Sequence, residues 1–520
     1  MTATWPPTLG TNFFGNTYGG GDPADNALAI SAGGKIICGS NTRFHTYDET
    51  GTQTSAKNFT QFASAGGVNT FFTFDPKCLY DPIEDRFIVA FLNGSAPPIT
   101  PNSSKVIVAF SQTNDPAGSW NVYALNGNVN NLGVWTDFVQ IGLNTNELFV
   151  TGNPFTQQGS SEGAAIWQIN KAEGYNGTAL NPVVYHLSGA FSVHPVQGGS
   201  TSYGPQMYFV ESELGSSASI KLHQITNSIA NGGVLNSAVG FTLDISYAIP
   251  PDADQQGTTS NLKTNDTRIQ SSYYENGSIE FVLNTAVNGR AGILHGTGII
   301  SSFAISFSSF TARLLGIPDL DIAYPSIAYA GQQDLSGFNH SYLAFNTTGA
   351  ANFPGCAAVY VDEAGFSPHT VIREGVNWIN SGDDRWGDYA DVCERTGHPG
   401  EVWAVGTIGN SSLQQRTYIG QLLPPVPVAV QPEIERATME VYPNPTTEIV
   451  KFTFPVEEAG EYAVRIYDLQ GREIRLLVQN WLVPGKAMTS FNAAYLPAGT
   501  YVVKVAGMGK ELFAEKFVVE

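Results

Sequence analysis

One pattern recurs through the first four hundred residues: a turn residue, usually Asp, then a strand-forming run, a polar hairpin and further β-rich segments. Its instances begin at Asp25, Asp75, Asp137, His194, Asp266, Tyr324 and Asp388, spaced 50 to 72 residues apart. Further strands follow each hairpin, as "KVIVAFSQ" is followed by "SWNVYAL". A single sheet of four strands leaves both faces bare, so such units must stack on one another, and stacking around an axis leaves no bare end. The expected fold is therefore all-β, with a seven-bladed β-propeller over residues 1–423. Helical periodicity is nearly absent from this stretch. The 55 Gly and 29 Pro, against only 13% charged residues, supply turns for many short strands. Strand material from the N-terminus is expected to complete the last unit, which ends near "RTYIGQL".

The formal charge of -20 is unevenly placed, since 17 basic and 35 acidic residues precede Ala437. Such a surface repels phosphate backbones and anionic lipid, which argues against nucleic-acid and membrane-surface partners and leaves cations, neutral glycans or proteins. No apolar run is long enough to span a membrane as a helix. The start "MTATWPPTLG" has neither a basic nor an apolar signal region, so a signal peptide is not present in this numbering: either the protein is cytosolic or the numbering begins after processing.

Cys38, Cys78, Cys356 and Cys393 have no metal-site spacing. Each of the pairs Cys38 with Cys78 and Cys356 with Cys393 falls on neighbouring units, which predicts two disulfides and an oxidising compartment; four buried thiols are the alternative. Past Leu422 the composition changes. A proline-bearing linker, residues 424–436, precedes a more highly charged segment, 437–520, whose alternating runs predict a small Ig-like antiparallel β-sandwich.

In that last segment "YPNP" (Tyr442, Pro443, Asn444, Pro445), "IYDLQGREI", "LPAGTYVVKV" (with Leu496, Pro497, Ala498, Gly499, Thr500, Tyr501) and the terminal "EKFVVE" occur in order. They closely resemble the type A C-terminal sorting domain of the type IX secretion system of Bacteroidetes. The resemblance implies cargo that engages the type IX machinery through this domain and is secreted or held at the outer cell surface. "RWGDY", Arg385 to Tyr389, gives the earlier part a looser resemblance to extracellular bacterial seven-bladed β-propellers, which implies a fold and no function.

In a propeller the first strand of each blade lines the channel, so Asp25, Asp75, Asp137, Asp266 and Asp388 are expected to ring one mouth, with His194 and Tyr324 in the corresponding places. "SGDDRWGDYADVCE" adds Asp383, Asp384 and Asp391. Gathered carboxylates favour a hard cation, so calcium is the cofactor considered, on Asp75, Asp137, Asp266, Asp383, Asp384, Asp388 and Asp391; if each Asp caps its own turn instead, there is no cofactor. "DADQQG" (Asp252 to Gly257) imitates an EF-hand opening but lacks its later ligands. "GSSEG" (Gly159 to Gly163) fits a nucleophile elbow in letters without the required strand and helix. "SQTNDPAGSW" reads as a structural hairpin turn. No catalytic constellation emerges, which favours an exported binding or adhesion protein with a protein or glycan ligand. The alternative is an extracellular glycan hydrolase with carboxylates at the channel mouth.

Overall fold

The computed structural model describes residues 5–17, 21, 23–301, 305, 308–334, 337–425, 439–456, 459–483, 485–507 and 510–520. The chain divides into two compact units, 1–426 and 427–520. Most of the expected linker, 424–436, lies outside the described residues.

Unit 1 is nearly all β. Among its described residues seven sheets follow one another along the chain. Their first full strands are Ala27–Ile30, Phe72–Asp81, Val134–Leu143, His194–Pro195, Ile269–Glu275, Asp321–Gln333 and Asp391–Glu394. Each repeat start found in the sequence falls in one of these strands or at its entrance. The seventh sheet is completed by Thr8–Phe14, which pairs antiparallel with Gln415–Leu423 as expected.

Middle strands are buried on both faces, and alternation sends successive side chains to opposite neighbours. In Lys105–Ser111, Val106, Val108 and Phe110 pack toward the third sheet, while Ile107 and Ala109 pack toward the first. Such clusters join each sheet to the next, and the series returns on itself: Leu28, Ile30, Ile36 and Tyr47 of the first sheet pack with Trp403, Val405 and Ile419 of the seventh. The arrangement is propeller-like.

The expected disulfides are not formed; all four cysteines are free thiols. The same alternation explains why. Cys38 packs toward the seventh sheet and Cys78 toward the first, which places the first sheet's backbone between them. Cys356 packs at the junction of the sixth and seventh sheets, whereas Cys393 packs at that of the seventh and first. Adjacent sheets brought the pairs near, but their Cβ vectors serve different interfaces.

Unit 2 contains two antiparallel sheets around one apolar cluster that includes Val450, Phe452, Val464, Val503 and Phe517. Asn444 clamps the last strand, accepting from the Val518 N–H at 2.8 Å and donating to the Lys516 carbonyl at 3.0 Å. Tyr501 stacks on Phe517 and donates its hydroxyl to the Pro497 carbonyl at 2.8 Å. The two recurring motifs thus hold the ends of the final hairpin.

Candidate functional site: a carboxylate cup at the head of the first strands

The chain enters the first strands through strained backbone. Asp25, Asp75, Phe138, Ser192 and Tyr324 all have φ between 45° and 55°. Non-glycine residues avoid this left-handed region, and each costs about 1–3 kcal/mol unless its surroundings compensate. Bulges at Phe74/Lys77, Asp137/Gln140 and Ala323/Ser326 accompany the strain and turn side chains inward.

Buried amides hold these bends. Asn41 accepts from the Asp75 N–H at 2.9 Å, Asn153 from the Ser192 N–H at 2.8 Å and Asn284 from the Tyr324 N–H at 2.8 Å. In each case the Asn stands at or near the end of one sheet's second strand and latches the entry of the following sheet. Asn93 and Asn346 occupy the corresponding positions in two more sheets, Ser212 and Thr407 in the remaining two, and all seven are buried. The signal was present in the sequence as an apolar run ending in a small polar residue, as in "FVTGN", "EFVLN" and "YLAFN".

The bends create a cavity of about 370 Å³. Asp25, Asp75, Asp137 and Asp388 converge on it from four sheets, with Arg268, Arg385, Tyr324 and Phe138. Asp25 accepts from the Asp388 N–H at 2.7 Å and from the Asn41 amide at 2.5 Å. Asp75 is only 7% exposed and accepts no hydrogen bond from the described residues. Arg385 pairs with Asp388, and Arg268 is held in a bidentate pair by Asp266 at 2.6 and 2.7 Å.

Burial and mutual repulsion raise these carboxyl groups. Asp25 and Asp75 lie well above the usual carboxylate range, Asp25 through burial and then Asp388, Asp75 through burial and then Asp137. Asp137 and Asp388 are also raised by burial, with Arg385 and Arg268 opposing the shift. Burial works against the charge on Arg385, but Asp388, Asp25 and Asp75 outweigh it and hold the guanidinium charged.

Lys77 and Tyr389 pack together against the cup lining at Phe138. The Lys77 ammonium sits 3.3 Å from the centroid of the Tyr389 ring, and Phe138 packs on that ring at 5.1 Å. Burial lowers Lys77 to about 8 while Asp391, Asp75 and Asp25 support its charge. A smaller cavity of about 130 Å³ on the other side holds Asp391 and Glu394. Burial pushes Asp391 up to about 6 and, with Glu275, pushes Glu394 up to about 8.

Of the seven carboxylates considered for calcium, then, the structure gathers Asp75, Asp137 and Asp388 in the cup, together with Asp25. Asp266 is occupied by Arg268. Asp383 and Asp384 are exposed, with Asp384 accepting from the Ser260 hydroxyl at 2.5 Å. Asp391 accepts from the Leu28 N–H at 2.9 Å and belongs to the smaller cavity. No three His, Cys, Asp or Glu side chains among the described residues are grouped so as to hold a metal ion. His194 is buried beside Ser272, 2.9 Å away, and Tyr324 lines the cup. Arg268 escaped the sequence reading, although its place two residues after a repeat start matches that of Lys77.

The other motifs are structural. Gly159 and its neighbours form a turn between strands Glu147–Thr156 and Ala164–Asn170. In the hairpin before Trp120–Asn126, the Trp120 indole donates to the Pro116 carbonyl at 3.1 Å. Gln255 of the Asp252–Gly257 loop is tied to Ile379 by two hydrogen bonds.

Comparison with known proteins bears on unit 2. Residues 440–520 match the secretion system C-terminal sorting domain. The match supports reading the chain as type IX secretion cargo, delivered outside the cell or to its surface. No helix among the described residues is long and apolar enough to cross a membrane. No curated protein matches the chain. Among solved structures it is similar to a protein of unknown function from Dyadobacter fermentans (TM-score 0.36, 9% identity, covering 80% of this chain and 99% of that one). The Nup133 β-propeller domain of Vanderwaltozyma polyspora gives a TM-score of 0.37 at 10% identity, covering 76% and 94%. A Trypanosoma rangeli sialidase mutant gives 0.32 at 7%, covering 92% and 88%. Likenesses this distant carry no function across.

Proposed function

We propose that this is a binding protein exported by the type IX secretion system, whose residues 1–423 form a seven-bladed β-propeller that takes a neutral, hydroxyl-rich sugar in the carboxylate cup. The Ig-like sandwich of the last residues serves as its address. One observation carries the binding reading: protonatable carboxyls, guanidinium groups and aromatic faces meet in one cup. Carboxyl groups accept hydroxyl hydrogens and, when protonated, donate as well, and Arg supplies fixed donors. The lone carboxyl of Asp75 is the group a ligand hydroxyl satisfies.

A second reading, glycan hydrolysis, draws on the same four carboxyls, all raised by burial, of which one would serve as proton donor and another as its ionised partner. Calcium, which the sequence also suggested, would find no more than two of these carboxylates placed to share one ion among the described residues.

Calorimetry of the full chain against neutral oligosaccharides tests the first reading. Binding is expected to weaken by about tenfold in Asp75→Asn, as for loss of one hydrogen bond, with no reducing ends released. Reducing ends released by the native chain and lost in Asp75→Asn would establish hydrolysis instead. A chelator-dependent fall in melting temperature, restored by calcium, would assign the cup or its rim to the ion.

A further inference from the structure

Flat groups that belong to none of the apolar core clusters adjoin Arg268 and Phe138 of the cup lining. Trp135 and Phe155 face each other across the third sheet with ring centroids 5.7 Å apart. Phe191, from the segment entering the fourth sheet, meets Phe155 edge-on at 6.1 Å. The Arg268 guanidinium, from the entrance of the fifth sheet, lies 5.3 Å from the Phe191 ring and 4.2 Å from Phe138, which lines the cup. Trp135, Phe155, Phe191 and Arg268 each retain solvent exposure.

The row is fixed in place. The Trp135 indole donates to the Thr156 carbonyl at 3.2 Å, and Asp266 holds Arg268 at both ends of its fork. Rigid planes of this kind bind without the entropy cost of ordering them.

Resting on the sugar-binding reading above, we propose that the ligand is an extended, uncharged saccharide chain: one unit occupies the cup and the following units lie along Arg268, Phe191, Phe155 and Trp135. Aromatic planes accept any flat apolar face, those of nucleobases included. The charge of the protein decides among them, because a net -20 opposes phosphate and sulfate esters. A sugar chain offers apolar C–H faces to the rings and hydroxyl edges to the cup. Continuity between row and cup sets the register, since Arg268 belongs to both.

The experiment is titration of the full chain with neutral gluco-, manno- and xylo-oligosaccharides of one to six units. Affinity is expected to climb by about tenfold or more from one unit to four, as for successive stacked rings, and then level. Trp135→Ala is expected to flatten that climb while leaving single-unit affinity within about twofold, well under the tenfold that 1.4 kcal/mol represents, and Trp135→Phe to restore it. Melting curves of both variants must coincide with that of the native chain; if Trp135→Ala alone melts early, Trp135→Phe against Phe155→Leu decides. A length-dependent gain that persists unchanged in Trp135→Ala overturns the row but spares the cup. Binding of short sugars with no gain in length does the same. Failure of every saccharide to bind overturns both, and tight binding of an oligoproline peptide, abolished by Trp135→Ala, assigns the row to protein recognition.

Discussion

The two units put their chemistry in opposite places. Unit 1 buries polar groups at matching points in all seven sheets, and Asn153, Asn284 and Asn346 are almost wholly enclosed. In unit 2 the enclosed polar side chains among the described residues are Thr446 and Thr453, and neither hydroxyl has a partner. Large apolar groups instead stand outside: Trp481 is 71% exposed and Tyr495 84%. A densely polar interior specifies geometry at the expense of tolerance, as befits a ligand site, and it does so even where Gln140, Gln270 and Asn346 each keep an amide nitrogen without a partner among the described residues. An apolar exterior leaves recognition to the surface, as befits a segment read by other proteins.

Calorimetry that resolves the transitions of the two units can break this contrast. The largest effect is expected from Lys171→Ala, because the Lys171 ammonium lies 2.7 Å from Asp81 and both are buried. Removing it strands a charge, a loss of about 3–5 kcal/mol confined to unit 1. A shift of equal size in unit 2 would show that the units do not melt independently.

Next in size is the pH response. Glu394 has a folded value near 8 against an ordinary 4.5, so the native chain keeps a proton that the unfolded chain has released. Stability of unit 1 should therefore be fullest below pH 4.5 as far as this group is concerned, and fall as pH rises toward 8. Glu394→Gln should flatten that slope and gain on the order of 2 kcal/mol at pH 9; an unchanged slope would dismiss the group.

Asn284→Ala and Thr453→Val sharpen the contrast between interiors. Asn284 serves the Tyr324 N–H and the Thr264 carbonyl, so its loss should cost about 1–3 kcal/mol. Thr453 serves no partner, and its replacement by the similarly shaped Val should be neutral or stabilising. Trp481→Ser should do least, shifting unit 2 by no more than about 0.5 kcal/mol.

The repeat was legible because its marks are local: an Asp or its stand-in, a hairpin, a strand, seven times. The cup was half legible. Asp25, Asp75, Asp137 and Asp388 were placed together at a mouth by counting from those marks. Asp266 was placed with them, but nothing along the chain reveals that Arg268 turns back to occupy it. The latches were missed because an Asn ending an apolar run looks like any strand terminus until the neighbouring sheet's bent backbone is seen against it. The disulfides failed on direction: spacing located the cysteines on adjacent sheets, while the parity of each strand sent paired thiols to different faces. The contacts among Trp135, Phe155, Phe191 and Arg268 were beyond reach, since these residues come from three repeats and meet only when these are assembled.

Thr8–Phe14 has a consequence for how the molecule matures. It shares a sheet with Gln415–Leu423, the two being some four hundred positions apart. Such distant pairing closes late and carries a large entropic toll. A ribosome that has delivered three quarters of the chain has delivered the earliest strand without the one it pairs with. Severing the peptide after Phe14 should therefore spring the seventh sheet and loosen the cup that Asp388 shares with Asp25, far from the cut.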